Sequence, residues 1–267
     1  MRFIPVRLLS VVLVFGLIGA LGACSSTLPR PKVEAYDSAR DFAAANALYD
    51  NKMWADARQK FLSVKLKDNS GKYAPLAQLR VADTYFQEDE PEKAVDEYRS
   101  FLEVYPSDRY AYYAQYQIAT IYYDQIKGED RAYALAERAL GEFKKLNENY
   151  PRNPDHEIVE GKIARCRTLR ADHEYMVAKY DFDRAGYTGA ADRALNVYEY
   201  YPENPNVPEA LYIVVASCKR TGQKDKAQKY YEVLKDKYPD KPATARAAAE
   251  LASPDPKAAP AAQPKKK

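Results

Sequence analysis

Four segments of this chain close on the same dipeptide, and that recurrence constrains the fold more than any other feature. FLEVYP ends at Pro106, KLNENYP at Pro151, VYEYYP at Pro202 and VLKDKYP at Pro239, at intervals of 45, 51 and 37 residues. Self-similarity at such periods marks an array of small units, none of which can bury its apolar face alone. Proline suits the end of a unit, because it has no amide hydrogen to donate and pushes the preceding residue out of helical geometry. Upstream of each Tyr-Pro lies an alanine-centred amphipathic stretch, such as PEKAVDEYRSFLEVYP or KDKAQKYYEVLKDKYP. A second apolar-periodic stretch precedes it, as in APLAQLRVADTYFQEDE and PEALYIVVASCKRTGQ. An earlier segment, ANALYDNKMWADARQKF, has the same shape without Tyr-Pro. The periodicity predicts paired helices throughout.

These pairs resemble tetratricopeptide repeats from Tyr36 to about Pro239. The resemblance implies a small residue where the two helices of a pair cross, a place that Ala57, Ala94, Ala139, Ala190 or Ala191, and Ala227 can fill. It also implies an aromatic three or four residues later, for which Phe61, Tyr98, Phe143, Leu195 and Tyr231 are the candidates. Trp54, at the start of a second helix, reads as a packing residue. Units longer than the ideal of about 34 residues place elongated helices at Glu129 to Tyr150 and Asp155 to Asp183. The expected fold is all-α, a right-handed solenoid of about five tetratricopeptide-like helical pairs over residues 35–252. ATARAAAELA, from Ala243 to Ala252, is its expected closing helix.

The ends of the chain read differently. Arg2 and Arg7 precede an uncharged apolar stretch from Leu8 to Leu21, the pattern of a secretory signal peptide. Leu21-Gly22-Ala23-Cys24 resembles the lipobox of bacterial lipoproteins, so residues 1–23 are the expected signal peptide. Cys24 is then the expected acylated residue and residues 24–34 a lipidated tether. Ser25 stands where an aspartate would resemble an inner-membrane retention signal, which favours the periplasmic face of a Gram-negative outer membrane. SPDPKAAPAAQPKKK, residues 253–267, lacks large apolar residues and reads as a disordered tail. The net charge of +3 is concentrated in leader and tail, leaving a slightly acidic body with no basic surface for nucleic acid.

Nothing in the chain points to catalysis. The two histidines, His156 and His173, are not at metal-ligand spacing, and there is neither a nucleophile elbow nor a phosphate-binding glycine loop. The expectation is a non-enzymatic protein without metal or cofactor. With Cys24 acylated, Cys166 and Cys218 remain. Superposing units four and five on Gly186 and Gly222 sets Cys218 opposite Phe182, about 24 Å along the helix from Cys166. A disulfide needs Cα atoms within about 7 Å, so two free, mostly buried thiols are expected.

One helix carries an excess of tyrosine, DRYAYYAQYQIATIYYDQ from Asp108 to Gln125. With Ile118 at zero, Ala111, Ala114, Ile121 and Tyr122 fall within about 60 degrees and form the core stripe. Tyr112, Tyr113, Tyr116 and Tyr123 fall on the opposite side, at roughly 120 to 220 degrees. They either pack on adjacent helices with hydroxyls reaching solvent, or form a groove that binds apolar or aromatic peptide.

The order of these features resembles one family, the BamD lipoproteins of the outer-membrane β-barrel assembly machine. The resemblance is carried by FLEVYPSDRYAYYAQYQIA and by ADHEYMVAKYDFDRAGYTGAADRALNVYEYYP. In the second stretch the spacing runs Tyr180, then Gly186-Tyr187, then Ala190-Ala191. It implies a scaffold that binds a POTRA domain of a BamA-like barrel protein, receives unfolded outer-membrane proteins, and meets other assembly lipoproteins. Outer-membrane lipid is implied as a further partner, through the acyl anchor. It also implies a role for Arg193 in the POTRA contact; the plain alternative is an exposed helix arginine pairing with Glu199 or Asp192. The competing reading is another periplasmic repeat lipoprotein, linking cell-wall or Tol-Pal machinery to the outer membrane. Such relatives often carry a coiled-coil segment before the repeats, for which Pro29, Pro31 and the short tether leave no room.

Overall fold

A computed structural model describes residues 36–126 and 129–254, and among these residues the chain is helical with no strand. The chain divides into two contact units, Met1–Asp37 and Ser38–Lys267, and every helix described belongs to the second. The first pair is α1 (Ser38–Asp50) and α2 (Trp54–Lys67), the second α3 (Ala74–Gln87) and α4 (Pro91–Val104). The third is α5 (Ala111–Asp124) and α6 (Glu129–Asn149), the fourth α7 (His156–Asp183) and α8 (Tyr187–Tyr200). The fifth is α9 (Val207–Arg220) and α10 (Lys224–Lys237), followed by α11 (Pro242–Ala252). Each helix packs chiefly on its neighbours in sequence, the pattern of a helical-repeat array, except α11, which packs more on α9 than on α10. The expected lipidation site Cys24, the leader and tether, and nearly all of the tail lie outside the described residues.

The second helix of every pair buries a stripe at i, i+4 and i+7, which is one face of an α-helix. The five stripes are Ala57-Phe61-Val64, Ala94-Tyr98-Phe101, Ala139-Phe143-Leu146, Ala190-Ala194-Val197 and Ala227-Tyr231-Leu234. All are buried except Tyr231, which is half-buried. Burial of each aromatic in these stripes contributes roughly 2–3 kcal/mol. In the fourth pair the crossing residue is Ala190, and the aromatic place is taken by Ala194 rather than Leu195, which stays half-buried. Trp54 packs edge-on against Tyr49, with ring centroids 4.8 Å apart.

The Tyr-Pro signature has a backbone explanation. Tyr105, Tyr150, Tyr201 and Tyr238 donate their N–H groups to the carbonyls of Phe101, Leu146, Val197 and Leu234, all fully buried, and so close the last turn. Each tyrosine carbonyl then accepts from the amide three residues on, at Asp108, Asn153, Asn204 and Lys241. Proline between them cannot extend the helix. The first pair reaches the same turn by other means. Asp68 occupies the tyrosine place, and its carboxylate accepts from the Ser70, Tyr73 and Ala74 amides. Burial opposes the charge of Asp68. Bonds from Ser70, Tyr73, Ala74 and Ser38 outweigh it, and the carboxyl is held well below its usual range.

Turns within four pairs are also alike. Met53, Glu90, Gly186 and Gln223 donate to the carbonyls of Leu48, Tyr85, Asp181 and Cys218, each preceded by a left-handed residue. Those residues are Lys52, Asp89, Ala185 and Gly222, with φ between 59° and 81°. This is the Schellman arrangement that satisfies terminal carbonyls of a helix. It shifts one expected register. Ala185, not Gly186, matches Gly222, so Cys218 lies opposite Asp181 rather than Phe182. The conclusion about the thiols is unaffected. Cys166 and Cys218 are both free and buried, and burial pushes the Cys166 thiol up to about 11 against the pull of Lys162 and Arg165.

The array is closed by α11, as expected from ATARAAAELA. Lys219 of α9 donates to the carbonyls of Glu250 and Ser253, a cation placed at the negative end of a helix. Arg220 pairs with Glu250 at 3.2 Å and lies over the rings of Phe182 and Tyr187.

Candidate functional site

Two places hold residues singled out in the sequence, Tyr113 in the first and Arg193 in the second. The first is a cavity of about 400 Å³ between α1, α3 and α5, lined by Phe42, Leu76, Leu79, Arg80, Asp83, Tyr110 and Tyr113. Its polar wall is Asp83, which is 6% exposed. Tyr98 and Tyr113 both donate their hydroxyls to Asp83 Oδ1, the second at 2.9 Å, and Arg80 Nη1 donates to Oδ2 at 3.2 Å. Arg80 also lies over the ring of Tyr49 at 5.2 Å. Burial raises the Asp83 carboxyl above its usual range, against the bonds from Tyr98, Arg80 and Tyr113. The same burial, together with the charge of Asp83, pushes both phenols upward, so they act as donors at neutral pH.

The four tyrosines of the opposite side of α5 do not share one groove. Tyr113 turns back to the second pair, its ring 6.1 Å from that of Tyr98. Tyr112, Tyr116 and Tyr123 turn forward onto α6 and α7. Tyr112 donates its hydroxyl to Asp155 and meets the Tyr150 ring edge-on at 6.0 Å. Tyr123 meets Phe143 at 6.2 Å, and Lys162 of α7 lies over the Tyr116 and Tyr123 rings at 5.4 and 5.0 Å. All four are half-buried. Of the expected core stripe, Ala111, Ala114, Ile118 and Ile121 are buried and Tyr122 is half-buried.

The second place is the junction of α7 and α8. Arg193, with its side chain 44% exposed, pairs with Glu174 at 3.4 Å and Asp181 at 3.7 Å, both on α7. Neither Asp192 nor Glu199 is its partner: residues one or six apart on a helix do not face each other, and the long α7 supplies the carboxylates instead. Close by, Asp172 accepts from the side-chain amides of Asn204 and Asn206, each at 3.0 Å, which ties α7 to the turn before α9.

Residues 34–234 match the YfiO family, described as outer membrane lipoprotein. The chain belongs to that family. Among curated relatives, it is 27% identical over 235 residues to the "Outer membrane protein assembly factor BamD" of Rickettsia prowazekii, covering 88% of this chain and 92% of that one. A protein of the same name from Xylella fastidiosa (strain Temecula1 / ATCC 700964) is 23% identical, over 90% and 85% of the two chains. Among solved structures, a thermophilic TPR protein from Thermus thermophilus aligns at TM-score 0.34 and 17% identity, covering 80% of this chain and 99% of that one. A superposition that loose carries no argument, and the paired-helix fold rests on the packing described above.

Asp83 escaped the sequence reading. Its signal is a single acid inside the otherwise apolar face of RVADTYF, which the amphipathic pattern hides because only one residue breaks it. No helix among the described residues is long and apolar enough to cross a membrane.

Proposed function

We propose that this chain is a non-enzymatic scaffold of outer-membrane protein assembly, held at the periplasmic face by acylated Cys24. It binds a POTRA domain of a BamA-like barrel protein through the α7–α8 junction and helps receive unfolded outer-membrane proteins. Membership of the YfiO family, with relatives named as assembly factors over nearly their whole length, is the observation that carries this reading. The geometry of Arg193 supports it further. An arginine held by two carboxylates at 3.4 and 3.7 Å on the surface is oriented, and loses little when it exchanges one of them for a partner's acid.

The half-open cavity beside Asp83 supports the receiving role. It offers aromatic and aliphatic walls, its Asp83 and Arg80 being already bonded to each other and Asp83 to two phenols, a composition suited to an apolar or aromatic segment. Tyr113 and Tyr110 belong to that wall, whereas Tyr112, Tyr116 and Tyr123 act as the joint between the third and fourth pairs.

The test is co-purification of the POTRA-bearing partner from detergent extracts. Arg193→Glu is expected to reduce recovery at least tenfold while the far-ultraviolet circular dichroism stays that of the wild type. Undiminished recovery with an intact fold, or wild-type pulldowns holding only peptidoglycan enzymes, counts against the assignment.

A further inference from the structure

The outward face of α2 differs from that of the second helix in every other pair. With those helices aligned on Ala57, Ala94, Ala139, Ala190 and Ala227, the outward stripe of α2 is Ala55, Gln59, Leu62 and Leu66, all exposed and all uncharged. In each other pair the same stripe carries two to four charged side chains. Its last place is there an exposed acid: Glu103, Glu148, Glu199 or Asp236. Leu66 stands in that place on α2 and is 82% exposed, with Leu62 one turn before it. A single leucine in water needs no cause, but two at i and i+4 on a helix face cleared of charge make a patch.

The patch lies at the end of the array where the chain enters it. The side chain of Ser38, the first residue of α1, bonds to Asp68, one residue beyond α2, so the start of α1 sits beside the last turn of α2. Only residues 25–35 separate Cys24 from Tyr36. A flexible linker of that length spans about 20 Å on average and about 40 Å when fully extended. An acylated Cys24 therefore keeps this turn close to the leaflet that holds the acyl chains.

The charges here do not oppose such a contact. Arg40, Lys65, Lys67 and Lys72 come close to balance with Asp37, Asp41 and Asp68, and Asp68 is spent on the amides of its own turn. Further along α2, Arg58 is paired with Glu88, and Asp56 and Lys60 offset each other. The attraction must then come from the leucines. A carboxylate in the place of Leu66 would lose its hydration on meeting the headgroups, whereas leucine gains by leaving water.

We infer that the outer face of α2 lies against the phospholipid leaflet, with Leu62 and Leu66 set among the headgroups. This rests on the acyl anchor proposed above and adds to it a direct contact of the folded body with lipid.

The experiment uses the full acylated chain reconstituted into vesicles of phosphatidylethanolamine and phosphatidylglycerol containing a nitroxide-labelled lipid. Cys166 and Cys218 are buried, so an environment-sensitive fluorophore can be placed selectively at Gln59→Cys, on the stripe with both leucines intact. The control is the same probe at Lys229→Cys, the matching place on α10. Quenching by the nitroxide is expected to be at least threefold stronger at position 59 than at 229. Leu62→Glu with Leu66→Glu is expected to bring it down to the level of 229, and Leu62→Met with Leu66→Met to preserve it. Both leucines are exposed, so the helix should survive either pair of changes, which far-ultraviolet circular dichroism checks. Flotation of the same samples separates the two readings. A chain that does not float with the vesicles removes the anchor and this inference together. A chain that floats with equal quenching at 59 and 229, or with quenching unmoved by the glutamates, overturns this inference alone. Blue-shifted emission without lipid quenching, rising with the protein-to-lipid ratio, overturns it too and gives the face to a second copy of the chain.

Discussion

Arginine and carboxylate build both the Asp83 cluster and the Arg193 junction, with tyrosine added only at the first, yet the two are solvated in opposite ways. Around Asp83 the acid is buried, its oxygens are filled by two phenols and a guanidinium, and a cavity opens beside it. Around Arg193 the cation is half in water, and its carboxylates sit at the long end of ion-pair distance. Burial makes the first cluster expensive to break, because any partner removed leaves a polar group with nowhere to go. Solvent makes the second cheap to rearrange, because water replaces whatever leaves. The same residue types therefore serve as a fixed hub in the second and third pairs and as an exchangeable contact in the fourth.

The largest effect is expected from Asp83→Ala. It orphans Tyr98, Tyr113 and Arg80 together and should lower stability by about 3 kcal/mol. Nearest-neighbour coupling in a repeat array confines the damage, so hydrogen exchange should quicken in α3, α4 and α5 and stay unchanged in α9 to α11. Uniform quickening would erase the distinction between the two regions.

A pH titration sharpens the same point. Burial raises the Asp83 carboxyl in the folded chain, so the folded state binds its proton more tightly than the unfolded one. That contribution is complete below the ordinary carboxylate value of about 3.9 and is lost as pH rises through the raised native value. Wild type should therefore lose stability relative to Asp83→Asn as pH climbs from about 4 towards neutrality. The opposite slope would mean that the three donors outweigh burial.

Smaller effects follow from single groups. Tyr113→Phe removes one of three donors to Asp83 and should cost about 1 kcal/mol in urea unfolding. Ala185→Gly relieves a left-handed non-glycine residue at φ 64° and should gain about 0.5–1 kcal/mol. Arg193→Ala should change stability by less than about 0.5 kcal/mol, because the guanidinium is half in water and its ion pairs are long. A cost near that of Tyr113→Phe would mark Arg193 as a structural residue instead of a contact.

The helices of the fold were legible because their signals are short-range. The i, i+4, i+7 stripes, the prolines after Tyr105, Tyr150, Tyr201 and Tyr238, and the lengths of α6 and α7 all follow from periodicity and backbone chemistry within a few residues. The off-by-one register at Gly186 shows the limit of that reading. Composition marks a glycine near the turn, but which residue adopts positive φ depends on where the helix above it stops, and Ala185 is the one.

Sequence alone determined how many helical pairs there are and most of the faces they turn inward, because a helix dictates its own faces; Leu195, Gly186 and Asp83 mark where that reading slipped. Tertiary structure alone decided what meets those faces. Tyr113 and Tyr112 are adjacent in the chain yet turn to different pairs, Asp83 collects a phenol fifteen residues away and another thirty away, and Arg193 finds its acids on α7. A helix has no internal record of its neighbour; only the packing of α7 against α8 and of α5 between two layers supplies it.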